Sequence, residues 1–340
     1  MAVTLKDISK ITGVNTGTIS QVLNRHPKGD AVRDDTKKRI FAAAKKNGYQ
    51  RNELAATTRT GVNRTVALIG DFEEISTFMN SVISGVLTSA TKHDYGIRVY
   101  SPLQLNKCLN EILSYRMKSV IVVSLNEGCR QRVADFCKKH DLKLVYIFEK
   151  SCEFFPAVAS ADRAGMRDAV LKLAELAHKR IALVCAKHTF HYMDERHAGY
   201  LEGLESAGLP VNKNLIDCHR YSEDSVLAAE KMLDLPETKR PTAFICIADS
   251  IATQIMNKAF FKGLKVPQDI SVIGFGNDES CESAIVPLTS ISQSFKAMGT
   301  AALKLVLGND CGIKANSKKE YLLGTELINR ESVAICKYNK

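Results

Sequence analysis

Residues 4–24 read TLKDISKITGVNTGTISQVLN, and this stretch decides how the 340-residue chain begins. Thr4 and Asp7 have the spacing of a capping box, in which a hydroxyl and a carboxylate satisfy free amides at the start of a helix. Gly13 is placed to end that helix, and Asn15 is placed to cap a second one. Two short helices joined by a glycine-containing turn predict a helix-turn-helix.

A small core for these helices follows from the spacing of apolar residues. Ile19 and Val22 share one face of the second helix, and Ile40 marks the apolar face of a third helix expected to end at Asn47-Gly48. The outward face of the second helix then carries short or polar side chains, which can approach base edges in the major groove of DNA. These residues are Thr16, Gly17, Ser20 and Gln21. The alternative for Thr16, Gly17 and Gln21 is a solvated helix face.

Positive charge is concentrated at this end of the chain. Residues 1–64 hold 13 Lys and Arg against 5 Asp and Glu, a net charge of +8. The remaining residues hold 34 against 32, a net charge of +2. A compact basic segment of mixed composition is typical of phosphate contacts, so double-stranded DNA is the expected partner of the first segment. The near-neutral remainder is expected to have a different kind of partner.

Four short stretches closely resemble the lactose/galactose repressor (LacI/GalR) family of bacterial transcriptional regulators. They are VTLKDI at 3–8, GVN at 13–15, TIS at 18–20 and VLN at 22–24, and Gly48-Tyr49 and Asn52 also fit. The resemblance implies a helix-turn-helix DNA-binding domain over residues 1–50 and a hinge segment over residues 51–63. The DNA-binding residues that it implies are Thr4, Asn15, Thr16, Gly17, Thr18, Ser20, Gln21, Asn24, Tyr49, Asn52, Ala55 and Thr58.

Three positions of the head and hinge depart from the family pattern, and one of them is Ala56, where basic residues are common. The family's hinge resembles a helix that folds on DNA and wedges a leucine into the minor groove, and Thr58 stands at that position here. Threonine offers less apolar surface to replace lost base stacking, so a weaker kink is expected. Gln21 stands where arginine is common, which favours contacts to adenine over guanine.

From residue 64 onward, apolar strand-like runs alternate with amphipathic helices. The expected strands are 65–70, 97–100, 119–124 and 144–148, then 181–185, 215–218, 243–247 and 270–275. This alternation predicts an α/β domain with parallel sheets covered by helices on both faces. Two sets of strands imply two doubly wound lobes, with a ligand cleft between them at the carboxyl ends of the strands.

The family resemblance extends through this second region. It implies a periplasmic-binding-protein-like sensing domain over residues 64–336, with three crossings between the lobes near Ala161, Ile291 and Leu322. The expected N-lobe covers about 64–160 and 292–321, and the expected C-lobe covers about 161–291 and 322–336.

Six candidate effector-binding residues lie at positions expected to face the cleft: Phe78, Ser124, Phe148, Arg196, Asp249 and Phe275. The guanidinium fork of Arg196 can bind vicinal hydroxyls or a phosphate, and its alternative is an ion pair with Asp194 or Glu195. Core packing is the alternative for the three aromatic residues.

Two polar positions of the family's sugar site are missing from this chain. Ala248 stands before Asp249 where asparagine is usual, and Gly276 stands where aspartate is usual. Sugar hydroxyls without partners would lose hydration without compensation, so a ligand other than a free sugar held in the usual way is expected.

Other classes of function find little support in the sequence. Phosphate-cradling, nucleophile-elbow and metalloprotease motifs are missing, so an enzyme, a cofactor and a metal site are not expected. The ten scattered cysteines are expected to be reduced thiols rather than a zinc or disulfide framework. A secretory signal and a membrane-length apolar run are also missing, so a cytoplasmic protein is expected.

Together these features predict a sequence-specific transcriptional regulator that binds a palindromic operator as a homodimer. A small-molecule effector, carbohydrate-related by the family resemblance, would close the cleft and change the spacing of the hinge segments. The resemblance favours a repressor. An activator on the same scaffold and a solute-binding protein without a regulatory role are the alternatives.

Overall fold

A computed structural model of the chain describes residues 3–24, 27–50, 63–70, 77–123, 126–151, 154–186, 191–219 and 222–338. The chain divides into two compact units, Met1–Asn63 and Arg64–Lys340. We call the first unit the head and the second the sensing unit.

The head contains the three predicted helices: α1 (Leu5–Thr12), α2 (Thr16–Leu23) and α4 (Asp34–Lys46). The capping box at the start of α1 is confirmed, because the Asp7 amide donates to the Thr4 hydroxyl and the Thr4 amide donates to the Asp7 carboxylate. Gly13 ends α1 in the left-handed conformation, as predicted. Ile8, Ile19, Val22 and Ile40 form the buried core.

A short helix between α2 and α4 was not expected from the sequence. This helix, α3 (Pro27–Asp30), packs against α2 through Gly29. A Cβ atom at position 29 would lie 2.7 Å from the Gln21 carbonyl oxygen, so only glycine allows the two backbones to approach this closely.

The sensing unit alternates strands and helices, and all eight predicted strands are confirmed to within two residues. Its first part contains β1 (Thr65–Gly70), α5 (Thr77–Lys92), β2 (Gly96–Tyr100), α6 (Leu105–Ser114), β3 (Ser119–Val123), α7 (Glu127–Lys139), β4 (Lys143–Ile147), β5 (Ala157–Ser160) and α8 (Asp162–Glu175). Next come β6 (Ile181–Ala186), α9 (His191–Ser206), β7 (Ile216–His219), α10 (Ser222–Leu233), β8 (Ala243–Cys246) and α11 (Asp249–Phe261). The last elements are β9 (Ser271–Gly276), α12 (Ser280–Ser283), β10 (Thr289–Gln293), α13 (Phe295–Leu307), β11 (Glu320–Leu323) and β12 (Thr325–Ile328).

These strands form two six-stranded sheets, each the centre of one lobe. The first lobe has the strand order β11-β5-β4-β3-β1-β2, with all strands parallel. The second has the order β12-β10-β9-β8-β6-β7, parallel except for the antiparallel pair of β10 and β12. The chain passes between the sheets after β5, after β10 and between β11 and β12. These passages bring four strand ends to the junction of the lobes.

Glycines let one helix pair in each lobe approach closely. In the first lobe, a Cβ at Gly299 of α13 would lie 2.1 Å from the Val82 carbonyl oxygen of α5. In the second lobe, a Cβ at Gly199 of α9 would lie 2.2 Å from the Arg163 carbonyl oxygen of α8. Both sheets carry fully apolar cores against these helices.

Among the described cysteines, the expectation of reduced thiols is wrong for Cys185, which is disulfide-bonded. Its cross-strand neighbour in the parallel pair of β6 and β7 is Cys218. Strand pairing therefore brings together two cysteines that are far apart in sequence, which spacing alone does not reveal. Cys108, Cys129, Cys137, Cys246, Cys281, Cys311 and Cys336 are free.

Within the described part of the chain, no helix is long and apolar enough to span a membrane.

Candidate DNA-reading surface and effector cleft

The exposed start of α2 is the candidate DNA-reading surface. The Asn15 side chain accepts a hydrogen bond from the Thr18 amide at 2.7 Å and so caps the helix, as predicted. Thr16 and Gly17 are exposed, and Gln21 is half-buried on the same helix. A Cβ atom at Gly17 would lie only 3.2 Å from the Asn15 side-chain oxygen, so glycine leaves room for the cap.

Ser20 does not face outward as the helical pattern predicted. It is buried, and the Asn24 side-chain amide donates to its hydroxyl at 2.9 Å. Ser20 follows Ile19 by about 100° of helix rotation and therefore lies at the edge of the buried face, where Asn24, one turn later, covers it. A role for Ser20 at DNA stays a prediction.

The other predicted DNA contacts have different surroundings. Thr4 is exposed, and its hydroxyl donates to the Asp7 carboxylate at 2.7 Å. This bond and the bond from the Thr4 amide lower the pKa of Asp7. Tyr49 is half-buried against the head core. Asn52, Ala55 and Thr58 lie outside the described residues.

Arg196 lies at the junction of the two lobes, where it is buried in a hydrogen-bonded network. Its guanidinium donates to the Asp162 carboxylate at 3.1 Å, to the Gln293 side-chain oxygen at 3.0 Å and to the Ile247 carbonyl. The Gln293 amide donates to Asp162 at 3.0 Å and to the Ser160 hydroxyl. The buried partner of Arg196 is thus Asp162, whereas Glu195 pairs with Arg163 at 3.0 Å.

This network joins both lobes through two of the three crossings. Ser160 ends β5 of the first sheet, Gln293 ends β10 of the second sheet, and Arg196 belongs to α9 of the second lobe. Burial raises the pKa of Asp162, and the charge of Arg196 opposes that change. The guanidinium already has protein partners for several of its donors, so it stabilises the junction whether or not a ligand is bound.

Aromatic rings surround Arg196 at the junction of the lobes. The guanidinium lies 3.7 Å from the centre of the Phe275 ring and 4.9 Å from that of Tyr192. Phe148 follows β4 with φ of +67° and packs edge-on against Tyr192 and Phe295. Because Phe148 belongs to the first lobe and Tyr192 to the second, this contact also joins the lobes. Burial raises the pKa of Tyr192.

Asp249 fills the space that two glycines leave open. Its carboxylate accepts hydrogen bonds from the Ser290 hydroxyl at 2.5 Å and the Asp278 amide at 2.9 Å, and it is 1% exposed. A Cβ atom would lie 2.2 Å from this carboxylate at Gly274 and 3.0 Å at Gly276. Because position 276 carries glycine rather than aspartate, there is room for the Asp249 carboxylate, which is held inside the second lobe.

The structure thus brings Phe148, Arg196 and Phe275 together around Tyr192 at the junction of the lobes and turns Asp249 inward. Ser124 and the side chain of Phe78 lie outside the described residues. Sequence reasoning missed Ser160, Asp162 and Gln293, because they become neighbours only through the crossings.

Two further groups near this junction are not among the six candidate effector-binding residues. The side-chain atoms Glu149 Oε1 and His191 Nδ1 are buried without hydrogen-bond partners. Burial raises the pKa of Glu149 to about 7, against the opposing charge of Arg130. Burial and the nearby Lys150 lower the pKa of His191. For Glu149, the available signal was its place two residues after the end of β4.

Comparison with known proteins gives a match for each of the two units. Residues 4–52 match bacterial regulatory proteins of the lacI family, and residues 170–333 match the periplasmic binding protein-like domain. The HTH-type transcriptional regulator RegA of Clostridium saccharobutylicum is 28% identical over 344 residues, covering 98% of this chain and 99% of RegA. The HTH-type transcriptional repressor CytR of Escherichia coli (strain K12) is 27% identical over 336 residues, covering 97% of this chain and 96% of CytR.

Solved structures share the complete fold. The crystal structure of the lac repressor dimer bound to operator and the anti-inducer ONPF superposes with a TM-score of 0.79 at 21% identity, covering 98% of this chain and all of that one. A helix-turn-helix head followed by a two-lobed sensing unit defines a class of transcriptional regulators. The chain belongs to that class, and its head matches the lacI family of bacterial regulatory proteins.

Proposed function

We propose that this regulator is a repressor that binds a palindromic operator as a homodimer and is controlled by a small molecule bound between its lobes. The observation that carries the proposal is the capped, exposed start of α2, with Thr16 and Gly17 outward, in a head with a net charge of +7. Small side chains let a helix approach base edges closely, and the surrounding positive charge supplies phosphate contacts.

Control by an effector is supported by the way the lobes are joined. Two lobes connected by three crossings can close on a ligand. The ligand shifts the equilibrium between the open and closed arrangements of the lobes, by an amount set by the difference in its affinity for the two. Phe148, Arg196 and Phe275 are proposed to border the ligand, with Phe78 and Ser124 completing the cleft. The repressor named CytR supports repression over activation.

The DNA-binding part of this proposal is tested with the full-length protein. Duplexes are selected from genomic fragments, and their affinity is measured by fluorescence anisotropy at low and high salt. Thr16→Glu places a negative charge at the exposed start of α2, so we expect operator affinity to fall about tenfold or more. Thr238→Glu makes the same change on an exposed turn of the sensing unit and should leave affinity within about twofold. Absence of salt-sensitive binding to any duplex would refute the proposal.

A further inference from the structure

One edge of the first sheet collects positive charge. We call it the amino edge, because it contains the starts of β1 to β4, the segments that lead into them and the loop after α13. Its residues are 64, 91–96, 113–119, 137–143 and 308–312. They include seven Lys and Arg against three Asp and Glu. The other residues of the sensing unit include 28 against 29, so the whole net positive charge of that unit lies at this edge.

Strand pairing brings these cations into one row. The Gly96 amide at the start of β2 donates to the Arg64 carbonyl oxygen, just before β1, at 2.8 Å. The Lys143 amide at the start of β4 donates to the Lys118 carbonyl oxygen, just before β3, at 2.9 Å. β1 and β3 are neighbours in the sheet. Since paired strands lie about 4.8 Å apart, the row of four strand starts is about 14 Å long.

Most of these side chains are open to solvent. Four of them are exposed and make no ion pair within the described residues: Lys92, Arg116, Lys118 and Lys139. Arg64 pairs with Asp94 at 2.9 Å, although both side chains remain largely exposed. The Lys138 ammonium lies 3.7 Å from the centre of the Phe154 ring, so an aromatic face holds it rather than a carboxylate. The row therefore keeps most of its charge.

The ends of helices account for only part of this charge. α5, α6, α7 and α13 all end at the amino edge, and each helix end carries about half a negative charge. The Lys143 ammonium, for example, donates to the Leu307 carbonyl oxygen at the end of α13 at 3.4 Å. Four helix ends amount to about two negative charges, which is half of the net positive charge of the edge. The remainder attracts an anionic partner.

The chain also enters the sensing unit at this edge. The head ends at Asn63 and β1 begins at Thr65. Fully extended, the chain from Gln50 to Thr65 spans at most about 50 Å. A head bound to DNA therefore keeps the amino edge within reach of the same duplex, and a weak contact there becomes an intramolecular one.

We propose that the amino edge binds the phosphates of the DNA that flanks the operator, through Lys92, Lys118 and Lys139. The proposal rests on the function proposed above, because the head must first bind the duplex. Double-stranded DNA carries one negative charge per about 1.7 Å of its axis, so a row about 14 Å long faces about eight phosphate charges. Phosphate contacts do not read base sequence, so the amino edge adds affinity and salt dependence rather than specificity.

The length of the duplex separates this contact from operator recognition. The affinity of the full-length protein is measured by fluorescence anisotropy for two duplexes, the operator trimmed to its palindrome and the same operator extended by about 20 base pairs, or two helical turns, at each end. We expect the wild type to bind the long duplex about tenfold more tightly. The plot of log affinity against log salt concentration should also be steeper for the long duplex by about 2 or more, since each neutralised phosphate contributes about 0.9.

Two triple variants locate the contact. The edge variant is Lys92→Gln, Lys118→Gln and Lys139→Gln. The control variant removes the same charge from three exposed lysines of the second lobe: Lys213→Gln, Lys231→Gln and Lys239→Gln. We expect the edge variant to lose the preference for the long duplex and to bind the trimmed duplex within about twofold of the wild type. The control variant should behave like the wild type on both duplexes.

Several results overturn the proposal. One is a wild type that binds both duplexes equally, a result that needs no variant to fold. Another is an edge variant that keeps the preference for the long duplex, or that loses the same affinity for both duplexes, because its lysines then act on the head or on the fold. Equal losses in the edge and control variants would make net charge, rather than position, responsible.

The same measurements separate this inference from the proposed function. Salt-sensitive binding of the trimmed duplex without a preference for the long one refutes the role of the amino edge alone. A wild type that binds neither duplex refutes the proposed function, and this inference with it.

Discussion

At the scale of single residues, Gly276 shows how a missing side chain changes what its neighbour does. The family resemblance places an aspartate at position 276, and here Asp249 occupies the space beside the glycine. Its carboxylate is used by Ser290 and Asp278, both within the second lobe. We infer that Asp249 contributes mainly to stability, although the sequence favoured a contact with the effector.

Replacing Asp249 tests this inference. Asp249→Ala leaves the Ser290 hydroxyl and the Asp278 amide without their acceptor, so the free energy of unfolding of the sensing unit should fall by about 2–4 kcal/mol. Urea denaturation monitored by circular dichroism measures the change. A variant that unfolds like the wild type but loses effector binding would restore Asp249 to the ligand site.

Glu149 makes the stability of the sensing unit depend on pH. Its pKa is about 7 in the folded protein and 4.5 in the unfolded chain, so the folded state binds more protons between these values. Stability therefore falls as pH rises from about 4.5 to 7, with a limiting slope of about 1.4 kcal/mol per pH unit. Glu149→Gln removes this contribution.

The comparison of Glu149→Gln with the wild type isolates that contribution from other titrating groups. As pH rises from 5 to 8, the free energy of unfolding of the variant should rise by about 1–3 kcal/mol relative to that of the wild type, as measured by urea denaturation. If the free energies of unfolding of the two proteins change equally across this pH range, Glu149 ionises normally in the folded state.

At the scale of elements, the sequence predicted the strands that depend on a local pattern of residues. The eight predicted strands have apolar runs, and each was found. β5 (AVAS), β10 (TSISQ), β11 (EYLL) and β12 (TELI) were not predicted as strands, because they are short and most of them carry polar residues. Their pairing depends on neighbours distant in sequence, and they carry the chain between the lobes. Arg196 could be chosen from sequence, but its partners could not.

The close contact of α8 and α9 depends on a residue without a side chain. Gly199→Ala would place a Cβ 2.2 Å from the Arg163 carbonyl oxygen, so the helices must separate. We expect a loss of about 1–3 kcal/mol in the unfolding free energy of the sensing unit.

A matched glycine-to-alanine change controls for helix propensity. Gly128 in α7 would place its Cβ at an ordinary 3.7 Å from the nearest atom, so Gly128→Ala should be neutral or stabilising by up to about 1 kcal/mol. Equal effects of the two substitutions in urea denaturation would remove the packing explanation for Gly199.

At the scale of the whole molecule, the head and the sensing unit have different roles, which follow from their charge and their connectivity. The head carries +7 of the net charge of +10 and the exposed start of α2. The sensing unit is nearly neutral and contains a junction where buried polar groups join its lobes. DNA affinity should therefore respond to salt mainly through the head, while the response to a ligand arises in the sensing unit.

Arg196 is the residue through which the lobes are most directly connected. Arg196→Lys keeps the positive charge but loses the planar fork that reaches Asp162, Gln293 and Ile247 together. Breaking a buried ion pair of this kind lowers the free energy of unfolding by about 3–5 kcal/mol when one charge is left without its partner. Lysine should restore only part of this loss. We expect calorimetry to show a lower melting temperature for the sensing unit, with binding of short non-specific duplexes unchanged because the head is intact. A wild-type melting temperature would mean that the Phe148–Tyr192 contact and the strands alone hold the junction together.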